Sequence, residues 1–322
     1  MSSLRSADAF ERLIDSLLDA AHPRNPWRDA STYEPDFALL ERLLSIPVRQ
    51  GAGQQTGRLA RATDAWTAQE LRCAGFGEHE VWPRRVQPRV LPQSLAEAEA
   101  IARQGGSPAL RRAVRGWSQA KLLGQYYAKQ VDVVIADWDR GAELIVSTKS
   151  MLSSYWNNLR NRFEEFVGDA KNLRGRYPLA SIGILFVARS TIFEETGAFQ
   201  FVTDMLTRLR HPELFDTAGL VVAGWDDTEF GSWQTDVDPG DEAQVGAHGE
   251  ASAAVSVRLD EVPAELHPAT FCRELIEAVL RRTPVTLHVR CRERKSGKPL
   301  PVPEETQGSD EDASGPDQLT IW

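Results

Sequence analysis

Asp132, Lys149, Glu164 and Glu165 have the types and spacing for metal-assisted hydrolysis of a phosphodiester. That chemistry needs a divalent cation on hard oxygen ligands, an activated water, and positive charge close to the phosphate. Asp132 and Glu164 are expected to hold Mg²⁺, with Glu165 as the alternative to Glu164. Lys149 is expected to orient or deprotonate the attacking water and to offset developing charge.

Two strands and one helix must position these groups. QVDVVIADWDRGAELIVSTKS, from Gln130 to Ser150, reads as two short strands joined by a tight Asp-Arg-Gly turn. Alternate strand residues share a face, so Glu143, Ile145, Ser147 and Lys149 point one way and Leu144, Val146 and Thr148 point into the core. An acid opening one strand and a lysine closing the next are costly inside a sheet unless they have work to do. The following stretch reads as a long helix from Met151, with a core stripe of Leu152, Tyr155, Trp156, Leu159, Phe163, Phe166 and Val167. Arg160 and Glu164, one turn apart, flank the stripe. Glu165 is expected to point further into solvent. Ordinary readings stand beside these: a cross-strand ion pair of Asp132 with Lys149, and a surface pair of Arg160 with Glu164.

The rest of the chain supplies a frame. Apolar spacing predicts helices over 6–21 and 35–46, the second stopped by Pro47, then a joint at 50–57. A helix over 58–75 carries Glu70 and ends at Gly75 or Gly77. Residues 79–91 read as extended and broken by prolines. Two short inserted helices are expected within 94–117. ASIGILFVARS (180–190) and AGLVVAGW (218–225) read as buried strands flanking a helix over 193–210, which implies a parallel crossover. A helix over 268–282 and a last strand over 284–291 follow. The expected fold is α/β with a mixed sheet. An N-terminal helical segment spans 1–56. The core spans 57–292 with an acidic loop at 226–254, and a disordered acidic tail spans 293–322.

With these elements in place, the chain resembles the PD-(D/E)xK nuclease superfamily, which includes most type II restriction endonucleases. The resemblance covers roughly residues 58–225, through VDVVI…ELIVSTK, the following helix and the strand–helix–strand end. It implies a restriction-endonuclease-like core in the order αβββαβ(αβ), with Asp132 as the first metal-binding Asp, Lys149 as the catalytic lysine and Glu70 as the acid on the first core helix. Val131, not Pro, precedes Asp132. Ser147 stands where the usual acid would be, two residues before Lys149. This is similar to a branch of restriction enzymes with Ser-x-Lys and a glutamate moved to the next helix, the place Glu164 would take. Whether Glu143 contributes stays open, as does the choice between Glu164 and Glu165.

The resemblance further implies Mg²⁺-dependent cleavage of double-stranded DNA by a homodimer, with a cognate methyltransferase acting on the same site. A nuclease for modified or branched DNA, or an inactive DNA-binding relic, is the alternative. Expected DNA contacts are Arg160, Arg162, Lys171, Arg174 and Arg176, with asparagines interleaved, since Arg and Asn read base edges. Arg111, Arg112 and Arg115, with Lys121, Tyr126 and Lys129 beside them, are expected on phosphates.

Net charge is −9 over 322 residues, which speaks against DNA binding only if charge is evenly spread. It is not: residues 108–176 carry twelve Lys/Arg against seven Asp/Glu. Residues 226–242 and 304–317 carry seven and six acids with no Lys or Arg. Screening over about 10 Å lets a basic surface act locally. No apolar run is long enough for a membrane span, and MSSLRSADAFERL lacks an apolar signal core. Three separated cysteines form no CxxC pair, which excludes a zinc ribbon and points to a reduced, cytoplasmic setting. GAGQQTG is followed by no Gly-Lys-Ser/Thr, so a phosphate-binding Walker loop is excluded.

Overall fold

The computed structural model describes residues 2–21, 24–51, 57–83, 120–137, 139–226 and 254–298. Its centre is the β-hairpin of β4 (Val133–Asp137) and β5 (Gly141–Met151), antiparallel, turning at Gly141 with φ +77°. On its other side β5 pairs in parallel with β6 (Ser181–Arg189), and β6 with β7 (Thr217–Gly224). Short antiparallel strands close both edges: β1 (Val81–Trp82) beside β4 and β8 (Ser256–Val257) beside β7. The sheet therefore runs β1-β4-β5-β6-β7-β8, mixed as the apolar runs predict.

Helices cover both faces. Leu144, Val146, Leu185 and Val221 form one core with α1 (Ser2–Ala20), α2 (Phe37–Arg49), α3 (Arg58–Ala74) and α6 (Pro268–Arg282). Ile145, Ile184, Phe186 and Leu220 form the other with α4 (Tyr155–Arg176) and α5 (Ala198–Leu209). Both faces of β5 are therefore buried, Leu144 and Val146 on one side and Ile145 on the other. Each fully buried side chain of this size contributes about 1.5–3 kcal/mol. Two of these faces decide where the candidate groups sit: Thr148 lies on the α3 side with Leu144 and Val146, Lys149 on the α4 side with Ile145.

Several local expectations are corrected. Pro47 lies inside the last turn of α2 rather than stopping it; lacking an N–H it makes no bond back to Leu43, and the helix runs only two residues further, to Arg49. The strand of β5 persists to Met151 because β6 pairs with it that far, so α4 begins at Tyr155 after Ser154 at φ +54°. Residues 190–193 form a 3₁₀ turn before α5. Residues 284–291 do not form a strand. The chain turns and enters α7 (Val289–Ser296), so the start of the expected tail, 293–296, is helical. The Arg292 guanidinium donates to the carbonyls of Leu280 and Thr283, which fixes α7 against the end of α6. At the end of α3, Gly75 at φ +114° has the Cys291 backbone packed where a Cβ would be, so it is both helix stop and contact point.

A second hairpin, β2 (Ala120–Leu123) with β3 (Ala128–Val131), forms a separate two-stranded sheet that the sequence pattern does not announce. The expected helices within 94–117, most of the loop at 226–254 and the tail beyond 298 lie outside the described residues.

Candidate functional site

Asp132 occupies the single-residue break between β3 and β4, where the chain passes from the small sheet into the large one. Val131 and Val133 on either side are buried and hold it in place. Its Oδ2 accepts the backbone N–H of Thr148 across the hairpin, at 2.8 Å. Asp64 of α3, 4% exposed, lies close enough to feel the charge of Asp132 and to meet the Thr148 side chain.

Asp64 and Asp132 are an electrostatically linked pair of buried carboxyls. Burial pushes Asp64 well above the usual carboxylate range and the charge of Asp132 adds to it; Thr148, Arg61 and Lys149 pull back only in part. Burial also raises Asp132, against the opposing N–H of Thr148 and the charges of Lys149, Lys129 and Arg61. Asp64 Oδ1 and Thr148 Oγ1 are buried and meet no hydrogen-bond geometry, although the Thr148 side chain lies close enough to Asp64 to pull its carboxyl down. Two buried carboxyls at one place are unfavourable unless they share a proton or a cation.

Lys149 closes the site from the α4 side. Its Nζ donates to Glu165 Oε1 at 3.1 Å, and Arg162 Nη1 binds the other oxygen of Glu165 at 2.9 Å. Burial alone would raise Glu165, but Lys149 and Arg162 outweigh it and hold its carboxyl low. Glu164 is exposed on α4, so the expectation that it is the better placed of the two acids is corrected: Glu165 faces Lys149. The cause is that Trp156 and Val167, expected in the core stripe, are exposed, so the buried stripe is Tyr155, Leu159, Phe163 and Phe166 and position 164 turns outward. Ser147 is buried, two residues before Lys149.

Glu70 is not at this site. It lies six residues beyond Asp64, about 9 Å along α3 and well round the helix. Its carboxylate accepts from Arg24 Nη2 at 2.8 and 3.1 Å, from the Tyr33 hydroxyl at 3.1 Å and from the Asp36 N–H at 3.0 Å. Asp36 in turn caps α2 through the Leu39 N–H, so Glu70 ties α2 to α3. Glu143 is also elsewhere, six residues or about 20 Å along β5 from Lys149. It pairs with His288 at 3.2 Å and Arg140 at 2.9 Å.

The expected DNA-binding residues divide. Arg160 and Arg176 are exposed on α4. Arg162 is engaged with Glu165, and Lys171 with Glu213 at 2.5 Å. Arg174 is corrected to a structural role: 12% exposed, it pairs with Asp216 at 2.8 Å and donates to the carbonyl of Ala180. Arg111, Arg112 and Arg115 lie outside the described residues.

Asp64 is the group that sequence reasoning misses. A signal was present: in Ala62-Thr63-Asp64-Ala65-Trp66 an acid stands inside a run that packs on the core. Among the described residues no group of three or more His, Cys, Asp or Glu side chains is disposed to hold a metal ion. Two carboxylates nevertheless fit Mg²⁺, which keeps several waters and commonly takes one or two carboxylates plus substrate phosphate. The three cysteines are free and buried. Among the described residues no helix is long and apolar enough to cross a membrane. Comparison with protein-family models, with curated proteins and with solved structures finds no match to this chain.

Proposed function

We propose that this chain is a Mg²⁺-dependent DNA endonuclease with a PD-(D/E)xK-like, restriction-endonuclease-like core. The carrying observation is the buried Asp64–Asp132 pair, set beside Lys149 where β3 passes into β4 and β5 ends. The order α3-β1-β4-β5-α4-β6-α5-β7 supports it.

In this reading Asp64 and Asp132 hold the cation, which when bound supplies an acidified water and polarises the phosphate. The Thr148 N–H fixes one oxygen of Asp132 and so the direction of the other. Lys149 places a positive charge beside the phosphate and orients the attacking water. Glu165, flanked by Arg162, holds the Lys149 ammonium in position rather than binding metal. Ser147 sits behind the site with no step assigned to it. Double-stranded DNA as substrate, a homodimeric assembly, a partner methyltransferase and a role in phage defence belong to the same proposal.

The outward placement of Glu164 favours a second reading, a DNA-binding relic without catalysis. Asp64 opposes it by supplying the second carboxylate. Digestion of unmethylated phage DNA by the purified protein, with Mg²⁺ and with EDTA, separates the two. Discrete Mg²⁺-dependent bands that Lys149→Ala does not produce are expected. Binding without cleavage, or cleavage that persists in excess EDTA, would overturn the catalytic reading.

A further inference from the structure

The β2–β3 hairpin leads straight into Asp132, yet the chemistry above gives it no task. It is held with unusual care. The Asn172 side chain, fully buried in α4, accepts the N–H groups of Tyr126 and Tyr127 at 2.8 and 3.2 Å and donates to the Tyr127 carbonyl at 3.0 Å. The Asn172 carbonyl accepts the Gln125 N–H at 2.8 Å. A side chain at Gly124 would collide with Asn172. One turn earlier on α4, Asp169 accepts the Tyr127 hydroxyl at 3.2 Å and pairs with Lys129 at 2.5 Å. Glu165, Asp169 and Asn172 thus stand at helical spacing on one face and hold, in a row, Lys149, Lys129 and the turn.

What this anchored turn presents is apolar and uncovered: Tyr126 is 73% exposed and Leu123 60%. Residues 120–131 carry Lys121 and Lys129 and no acid, in a chain whose net charge is −9. Lys129 is taken up by Asp169 and Lys121 is exposed; an aromatic side chain beside an exposed lysine on a rigid support is the combination that stacks on bases while meeting a nucleic-acid backbone. Distance sets the register. Asn172 lies about 10 Å along α4 from Glu165. Tyr126 lies six residues, at most about 20 Å, along the strand from Asp132. At about 3.4 Å per step of a strand this is about three to six nucleotides.

We propose that Tyr126 stacks on an unpaired base of the bound strand, about three to six nucleotides from the phosphate at Asp132, with Lys121 on the backbone. In a continuous duplex every base face is already stacked, so the ring finds a partner only where a base is unpaired or extruded. The inference rests on the nuclease reading and adds to it a preference: plain duplex remains a substrate, and an unpaired or extruded base near the cut strengthens binding.

The test is binding of labelled DNA to the full chain by fluorescence anisotropy, in a Lys149→Ala background that does not cut. Three DNAs are compared: a full duplex, a single strand, and duplexes with one unpaired base at successive positions. Tyr126→Ala is expected to weaken binding of the single strand and of the duplex with the unpaired base in register by about 10-fold or more. Tyr126→Phe is expected to bind as the parent does, and the full duplex to change less than about 2-fold, since no ring–base stack is lost there. Equal affinities for the parent and Tyr126→Ala on all three DNAs, or equal losses on paired and unpaired DNA, would overturn the stacking role and leave the nuclease reading standing. No binding of any DNA by the parent would overturn both.

Discussion

At the scale of single residues, the decisive group is Asp64, because it changes what Asp132 can do. Alone at a strand junction, Asp132 would be a hydrogen-bonded carboxylate; beside a second buried carboxyl it becomes, in the proposed reading, half of a cation site. The pair leaves a mark on stability. Both carboxyls are raised in the folded protein. Their contribution is therefore complete below the ordinary carboxylate range and is lost as pH rises through the raised values. Asp64→Asn removes one of the two like charges. Thermal melts from acid to neutral pH should show the melting temperature of the variant falling less than that of the parent. At neutral pH, Mg²⁺ should raise the melting temperature of the parent and leave the variant unchanged, since only a ligand bound to the folded state stabilises it. Parallel pH profiles with identical Mg²⁺ responses would count against a shared site.

At the scale of elements, α3 does two jobs with two acids on different sides. Asp64 looks at the sheet edge, while Glu70 anchors α2 through Arg24, Tyr33 and the Asp36 N–H. Glu70→Ala is expected to cost about 2–4 kcal/mol of folding stability, less than a fully buried pair because Arg24 keeps some solvent access. Denaturant unfolding measures that cost, and cleavage per folded molecule should be unchanged; a large loss of turnover with stability intact would return Glu70 to the site. The same elements show why parts of the sequence were readable. The runs 181–189 and 217–224 are apolar throughout because helices cover both faces, and both were legible as buried strands. Asp132 and Lys149 were legible because charge at strand ends stands out. Glu164 and Glu165 were not separable, since the choice depends on the core leaving out Trp156 and Val167, which the apolar pattern includes. The β2–β3 hairpin left no periodic trace: its order comes from Asn172, about 45 residues away in sequence, rather than from its own pattern.

At the scale of the whole molecule, three layers bring distant acids and bases to one edge of the sheet. Asp64 comes from the helical layer on one face, Asp132 and Lys149 from the hairpin, and Glu165 from the layer on the other. No single stretch of sequence holds the site, which is why a motif centred on 130–176 finds all of it but Asp64. The acidic net charge does not conflict with a nucleic-acid partner, because the exposed Arg160 and Arg176 lie on the same helix as Glu165. The central claim is that the Asp64–Asp132 pair makes the chain a metal-dependent nuclease. Its most direct test is the Mg²⁺-dependent digestion run with Asp64→Asn and Asp132→Asn beside the parent, each variant first shown to be folded. The account predicts that both substitutions reduce cleavage on the order of 100-fold or more. A folded Asp64→Asn protein that cuts as fast as the parent would contradict it.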